Sequence, residues 1–481
     1  MSHKKRNEFI LLILCLFVGF ALRFYSFDKK SLWLDEVYTF YDARDDLQAQ
    51  IDFHKENPTS LHPPLFFVIT HLFYPPSNPE RDLRIIPLIM GTLSIPLLFF
   101  LARQFFPNIA LPAVLSLTLM VYHISLSQDG RPYSFVMFFG MASLYLLIQF
   151  RKTANRWYLF PTAVSYAVLL YTSYSSIPFI VFSQLFWLYQ TGENDRKYSL
   201  SGFLSLVGIT FLLILPWLVF VGHNYKGQAL MDPFHTEDPG SPWMILSGIV
   251  HDWAASLPLS IVSVVLLILF PFLSPNKRNA LIILAVFYFP TVGLFLFCRL
   301  LGLTHFVASR YFINFLPLFL ILLYASLDAL QARFPRLSRS FRPLPLFLVL
   351  FIASNLMLLP LYYRSEKMDF RGHLQEGDKI FVMTTSLMPG ILHYLGGLPA
   401  AGRRHTVDPI LESGKIVGYQ IPFYSQGKLA TLLYSKTCCN QHVASGNRLW
   451  IVVFKWKGKE MKVLSPVKNG PRQSFKVNPL E

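Results

Sequence analysis

Charge is scarce in this chain. Asp, Glu, Lys and Arg make up 15% of its 481 residues, where a soluble globular chain carries about 25%. So little charge cannot cover a water-facing surface of ordinary extent, which excludes a plain soluble domain. Acid is scarcer than base: 27 Asp and Glu stand against 43 Lys and Arg, for a formal net charge of +16. The basic residues lie mostly in short loops between apolar segments, where they act as topology signals, so no nucleic-acid partner is expected. Cysteine is nearly missing, with four residues. Cys15 and Cys298 sit in apolar runs, Cys438 and Cys439 are adjacent, and none has metal-ligand spacing. A bridge between neighbouring residues is strained, so Cys438 and Cys439 are expected as free thiols. There is no Gly-rich phosphate loop. No internal repeat or low-complexity tract occurs either, which weighs against an inverted-repeat transporter.

What fills the chain is apolar: 53% of residues are hydrophobic and 16% aromatic. Runs of roughly 20 mostly apolar residues can cross a bilayer as helices. Such runs cover 9–27, 85–103, 108–126, 133–150, 157–173, 175–190, 201–221, 256–274, 279–299, 311–329 and 344–362. The basic start His3-Lys4-Lys5-Arg6, with no small-residue cleavage site after it, reads as an uncleaved first span with its N-terminus in the cytoplasm.

Segment 62–74 is apolar but short, a length typical of interfacial or re-entrant segments. If it lies flat on the outer side, the inward loops carry Lys4, Lys5, Arg6, Arg103, Arg151, Lys152, Arg156, Arg196, Lys197, Lys277, Arg278, Arg333, Arg336, Arg339 and Arg342. The outward loops then carry Arg131, Lys226, Arg299 and Arg310. Were 62–74 to span, every later basic loop would turn outward, against the positive-inside bias. The expectation is a polytopic α-helical protein of the cell inner membrane with about 11 transmembrane helices. Its long first outer loop, residues 28–84, would hold interfacial helices.

From about residue 364 the composition changes. Lys379-Ile380-Phe381-Val382-Met383 and Leu449-Trp450-Ile451-Val452-Val453-Phe454 read as strands, with a helix expected through Ile391-Leu392-His393-Tyr394-Leu395. Two domains follow: a transmembrane catalytic domain over 1–363, and a small periplasmic or extracellular α/β domain over 364–481.

The polar groups assigned to the outer face are few and specific. Ser31-Leu32-Trp33-Leu34-Asp35-Glu36 places two carboxylates just after the first span. Acidic residues so close to lipid are costly to desolvate and mark a site facing water or substrate. An ordinary role for them is to start a short surface helix, with Trp33 in the interfacial belt. A later outer loop reads Ser127-Gln128-Asp129-Gly130-Arg131-Pro132-Tyr133, where Asp129 is also a candidate cap for the helix that follows. Another reads His305-Phe306-Val307-Ala308-Ser309-Arg310-Tyr311, and the loop 222–255 adds His223, Lys226, Asp232, His235, Asp238, His251 and Asp252, read as solvated. Carboxylates and cations on one membrane face suit transfer from a lipid-linked phosphate. A carboxylate takes the proton of an acceptor hydroxyl, and Arg holds the phosphate and the charge that develops as it leaves. If 35 and 36 are helical, their side chains diverge by about 100°, so one of them is the base. Asp35 is assigned that role, and Glu36 that of an orienting group or a ligand to a sugar hydroxyl. Arg131 and Arg310 are the phosphate candidates, with His62, Tyr133, His305 and Tyr311 as further substrate contacts.

Together these pieces resemble a family. Trp33-Leu34-Asp35-Glu36 looks like the Trp-x-Asp-Glu signature of the GT-C membrane glycosyltransferases, relatives of protein O-mannosyltransferases (glycosyltransferase family 39) and of lipid A aminoarabinose transferase. His62-Pro63-Pro64-Leu65 is similar to the start of their interfacial helix, and Arg84 with Pro87 and Gly91 to their next span. Ser127-Gln128-Asp129-Gly130-Arg131-Pro132-Tyr133 resembles their Ser-Gln-Glu-Ala-Arg-x-Tyr loop, with Asp129 in place of Glu. Ser309-Arg310-Tyr311 with Pro317 resembles their Arg-Tyr-x(5)-Pro motif, and Asp369-Phe370-Arg371 their Asp-Trp-Arg entry into the soluble domain. Tyr171-Thr172-Ser173-Tyr174 stands where many relatives have Thr-His-Tyr. The resemblance implies a GT-C fold and an inverting transfer of a hexosyl or pentosyl group from a polyprenyl-phosphate-sugar donor. It also implies a catalytic role for Asp35 and Asp129. The acceptor would be a lipid, glycan or protein; no cofactor is expected, and no metal is indicated. A transporter or flippase of lipid-linked sugars is the competing reading, and a non-catalytic scaffold leaves the paired carboxylates unexplained.

Overall fold

The computed structural model describes residues 3–44, 46–56, 62–74, 76–190, 200–224, 242–301, 308–335, 342–365, 379–382, 393, 408–412, 415–423, 428–433, 449–454 and 461–463. In chain order the helices are α1 His3–Phe24, α2 Leu34–Arg44, α3 Leu47–Glu56, α4 Leu65–His71, α5 Pro79–Phe105, α6 Ala110–Leu119, α7 Val121–Ser127 and α8 Tyr133–Thr153. They continue with α9 Leu159–Leu170, α10 Ile177–Ser183, α11 Leu200–Asn224, α12 Pro242–Trp253, α13 Leu257–Leu273 and α14 Lys277–Leu301. A 3-10 turn, Ser309–Phe315, leads into α15 Leu316–Arg333, and α16 covers Pro343–Arg364. All the long apolar runs of the sequence fall on helical structure. Among the described residues six helices are long and apolar enough to cross a membrane, or seven if α6 and α7, bent by 60°, form one broken span.

The contacts divide the chain into two units, Met1–Phe27 with Asp42–Tyr363, and Asp28–Tyr41 with Arg364–Glu481. In the first unit, polar contacts mark two ends of the helices. At one end Arg103 meets Glu8 at 3.4 Å, Lys152 donates to Gln104 Oε1 at 2.9 Å and Arg156 to Ser201 Oγ at 3.2 Å. These are residues the charge pattern assigns to inward loops. At the other end fully buried Arg84, near the start of α5, donates to the Phe27 carbonyl just beyond α1 at 2.8 Å. The loop from 28 to 78 therefore leaves and returns at the same end. Among the described residues its apolar helix, α4, has seven residues, about 10 Å of length, and cannot cross a bilayer. Segment 62–74 does not span.

Met120 is extended (φ −68°, ψ 111°), which interrupts the hydrogen-bond ladder between α6 and α7. Backbone groups freed inside a membrane must be satisfied by protein. The Val121 N–H donates to Asn355 Oδ1 of α16 at 2.9 Å. The last carbonyls of α6 are taken by Arg23 of α1, whose guanidinium donates to Leu117 O at 3.0 Å and Thr118 O at 3.2 Å. The same guanidinium meets His123 Nδ1 at 2.6 Å. Both halves of the break are thus repaired by side chains of other helices. Gly91 of α5 lets α7 come close, since a Cβ there would lie 2.1 Å from Ser127 Oγ.

The second unit contains a six-stranded mixed sheet of order β2-β3-β4-β1-β5-β6, with β1 Lys379–Val382, β2 Asp408–Glu412, β3 Lys415–Phe423, β4 Lys428–Leu433, β5 Leu449–Phe454 and β6 Met461–Val463. The two strands read from the sequence, β1 and β5, are parallel neighbours, with Ile380 opposite Trp450. Strands β2, β3 and β4 pair antiparallel, and β4 runs parallel to β1. Of the helix expected over 391–395, only His393 is among the described residues, and it is helical.

Asn355→Leu keeps the volume and removes the acceptor at the break. The expected outcome is a loss of about 1–3 kcal/mol for an orphaned buried N–H, seen as a lower thermal midpoint of the purified protein. An unchanged midpoint would show that the break does not need Asn355.

Candidate active site

In the first unit the site is built outward from α7. Ser127 Oγ donates to His123 O at 2.7 Å, closing the helix on itself. Gln128 then turns its amide onto the end of α1, donating to Arg23 O at 2.7 Å and Tyr25 O at 2.8 Å. Its Oε1 accepts from the Tyr362 hydroxyl of α16 at 2.8 Å. Ser134 Oγ returns to Leu126 O at 2.9 Å. The turn Asp129-Gly130-Arg131 is therefore pinned on both sides before α8 begins. Asp129 is buried and Arg131 half-buried. Pro132, not Asp129, holds the N-cap position of α8, and it makes no side-chain cap bond. The capping role open to Asp129 in the sequence is not the one it plays.

A second turn sits beside the first. The Tyr133 ring meets the Tyr311 ring edge-on, with centroids 6.4 Å apart. The guanidinium carbon of Arg310 lies 5.4 Å from the Tyr311 ring centre, a cation–π distance. Arg131 and Arg310 thus flank the two rings in sequence, each one or two residues from a packed tyrosine. Ser309, next to Arg310, donates to Asp252 Oδ2 at 2.5 Å and accepts from the Tyr122 hydroxyl at 2.8 Å. The sequence treats 222–255 as a solvated loop. Its described part includes the end of α11 and helix α12, and Asp252 belongs to a hydrogen-bonded group. Tyr122 carries no signal of its own in the sequence, because its neighbour Ser309 is remote along the chain.

His62 is exposed, just ahead of α4. The Leu65 N–H at the start of that helix donates to Tyr171 O at 2.9 Å. In the stretch Tyr171-Thr172-Ser173-Tyr174, the Tyr174 hydroxyl accepts from Trp217 Nε1 at 3.0 Å. His305 lies outside the described residues, as do Lys226, Asp232, His235, Asp238 and Asp369-Phe370-Arg371. Among the described residues no group of three or more His, Cys, Asp or Glu could hold a metal ion.

Asp35 and Glu36 belong to the second unit, in the first turn of α2. They differ in role. Glu36 is fully buried, and its Oε2 accepts from the Trp33 N–H at 3.1 Å. This is the N3 half of a capping box, reaching back to the N-cap backbone. Asp35 is partly exposed, and its carbonyl accepts from Thr39 Oγ1 at 3.0 Å. Glu36 thus fixes the helix start, while the carboxylate of Asp35 leaves the helix in another direction. Hydrogen bonds tie residues 28–41 to the rest of their unit. Lys30 Nζ donates to Ser365 Oγ at 3.2 Å, and the Tyr41 hydroxyl meets His393 Nδ1 at 3.2 Å. The rings of Phe40 and Tyr41 stand edge-on to the His393 imidazole.

Residues 61–220 match the family described as dolichyl-phosphate-mannose-protein mannosyltransferase. That stretch includes His62, Asp129, Arg131 and Tyr133; Asp35 precedes it and Arg310 follows it. Among solved structures the chain is similar to ArnT from Cupriavidus metallidurans bound to undecaprenyl phosphate, with a TM-score of 0.50 and 14% identity over 81% of this chain and 86% of that one. The apo state of the same protein gives a TM-score of 0.50 and 13% identity over 94% and 93%. At these identities the likeness is one of fold. Among curated proteins, none matches the sequence.

The capping role of Glu36 has a direct check. Glu36→Ala should raise hydrogen exchange over 33–40, by the loss of about 1 kcal/mol typical of a broken cap, while Glu36→Gln, which keeps an acceptor, should not. Equal exchange in both variants would remove Glu36 from the cap.

Proposed function

We propose that this protein is a multi-pass inner-membrane glycosyltransferase. It moves a sugar from a polyprenyl-phosphate donor to an acceptor hydroxyl at the outer face. The observation that carries the reading is the locked pair of turns, 129–133 and 309–311, which brings two guanidinium-bearing segments together through Tyr133 and Tyr311. Its setting is a fold similar to that of a protein solved with undecaprenyl phosphate. Guanidinium forks suit a phosphate, and they stabilise the charge that grows on it as the sugar leaves.

The chemistry is a single displacement. Asp35 takes the proton of the acceptor hydroxyl, whose oxygen attacks the anomeric carbon from the face opposite the phosphate. The bond from that carbon to the phosphate oxygen breaks, and the electron pair departs with the polyprenyl phosphate. Configuration at the carbon inverts. Asp129 supports the acceptor or the sugar, Glu36 holds the helix that presents Asp35, and His62, Tyr133, His305 and Tyr311 contact substrate. About 11 spans form the body over 1–363, the N-terminus is cytoplasmic, and residues 364–481 form an outer α/β domain that selects the acceptor.

One observation bears on the transporter reading: Arg23 and His123 are fully buried at the broken span, and buried ionisable groups mark many transport pathways. Arg23, however, is engaged by the carbonyls of Gly19, Leu117 and Thr118. A side chain spent on backbone repair is a poor carrier of substrate.

Asp35→Asn should cut transfer by about 10²–10⁴-fold, the range for a general base, at unchanged expression and fold. Retained turnover would take Asp35 out of the base role. Mass spectrometry of envelope lipids and glycans with and without the gene should reveal the loss of a single-sugar mass. An intact envelope profile would favour transport or no transfer at all. A reporter fused after Leu361 should read as periplasmic, and a cytoplasmic signal would reverse the orientation.

A further inference from the structure

The hydrogen-bonded group around Ser309 has no part in the chemistry above. We infer that Asp252 is a positioning residue for Arg310, acting through Ser309 with Tyr122 closing the chain from the other side. The inference rests on the reading of Arg310 as a donor-phosphate ligand.

The direction of the chain is forced by proton count. A serine hydroxyl has one proton to give. Ser309 gives it to the Asp252 carboxylate at 2.5 Å and accepts from Tyr122 at 2.8 Å. The order is Tyr122 to Ser309 to Asp252, and it ends on a carboxylate, so each bond polarises the next. The two ends of this chain are held by separate helices. Tyr122 is the second residue of α7, whose first N–H is fixed by Asn355. Asp252 is the last residue but one of α12, and the residue after it, Trp253, is fully buried. The Trp253 ring packs 5.6 Å from that of Phe319 and 6.4 Å from that of Phe287, anchoring the end of α12 on α15 and α14. The exposed carboxylate of Asp252 thus projects from a rigid base.

Ser309 is therefore clamped between two fixed helices, and Arg310 is the next residue. The Tyr122 hydroxyl lies within electrostatic reach of both Asp252 and Arg310. Phosphate recognition needs a guanidinium held to within about 0.5 Å of its productive place. On the far side Arg310 lies against Tyr311, which packs on Tyr133. The Asp252 chain supplies the constraint on the near side. Without it the backbone at Ser309 loses its link to α12, and Arg310 samples positions that miss the phosphate.

The test uses the full chain in lipid nanodiscs with undecaprenyl phosphate as the probe. Asp252→Ala should weaken binding about tenfold, equivalent to about 1.4 kcal/mol. In an Arg310→Ala background the same change should weaken it less than twofold, because the effect passes through Arg310. Asp252→Asn, which keeps an acceptor oxygen without the charge, should lose less than Asp252→Ala. Hydrogen exchange over 308–316 should rise in Asp252→Ala. Equal losses in both backgrounds, or unchanged exchange over 308–316, would overturn the inference while leaving Arg310 as a phosphate ligand. If Arg310→Ala by itself binds the probe as tightly as the unaltered chain, the phosphate reading fails and the inference fails with it.

Discussion

A helix that breaks inside a membrane must have its freed backbone groups satisfied from elsewhere in the protein. That constraint governs the site end of the first unit. The break at Met120 is held by Asn355 on one side and Arg23 on the other. Both repairs come from helices remote in sequence, so the direction of α7 is set by α1 and α16 together. Everything downstream inherits that direction. Gln128 locks the end of α7 to the end of α1. Tyr122 meets Ser309 from the same short helix. The 129–133 turn then begins from a fixed point, and its tyrosine reaches the 309–311 turn.

The two carboxylates after the first span illustrate how geometry separates adjacent residues. They share a charge, a side-chain chemistry and a place in the chain. One turn of helix gives them different surroundings. Glu36 is buried against the backbone it caps, while Asp35 keeps partial exposure. A reactive carboxylate gains from a neighbour that orders its helix without competing for the same substrate atom. The grouping of residues 28–41 with the C-terminal unit adds a second feature. The segment that bears Asp35 is tied by Lys30 and Tyr41 to Ser365 and His393. Ser365 and His393 therefore have a hydrogen-bonded route to the segment that bears the carboxylate.

Much of this was legible in the residues, and the limits have physical causes. Long apolar runs report helices directly, because burial in lipid needs an unbroken stretch of them. The non-spanning character of 62–74 followed from charge, and α4 with the Arg84–Phe27 bond agrees. The apolar runs at 379–383 and 449–454 announced strands that turn out to be central and parallel, the class that reads as continuous hydrophobic sequence. Strands β2 to β4 and β6 gave no such signal. The break at Met120 was hidden because no Pro or Gly marks it, and Asn355, which accepts from the freed Val121 N–H, lies far along the chain. The Asp252–Ser309–Tyr122 chain was hidden for the same reason. Each member looks ordinary alone, and only the fold makes them neighbours.

The central claim is that a lipid-linked phosphate is held by the arginines of two packed turns. Electron cryomicroscopy of the full chain in nanodiscs with undecaprenyl phosphate tests it most directly. The account predicts phosphate density in contact with the Arg310 guanidinium and beside Arg131. Phosphate density away from both arginines would contradict it.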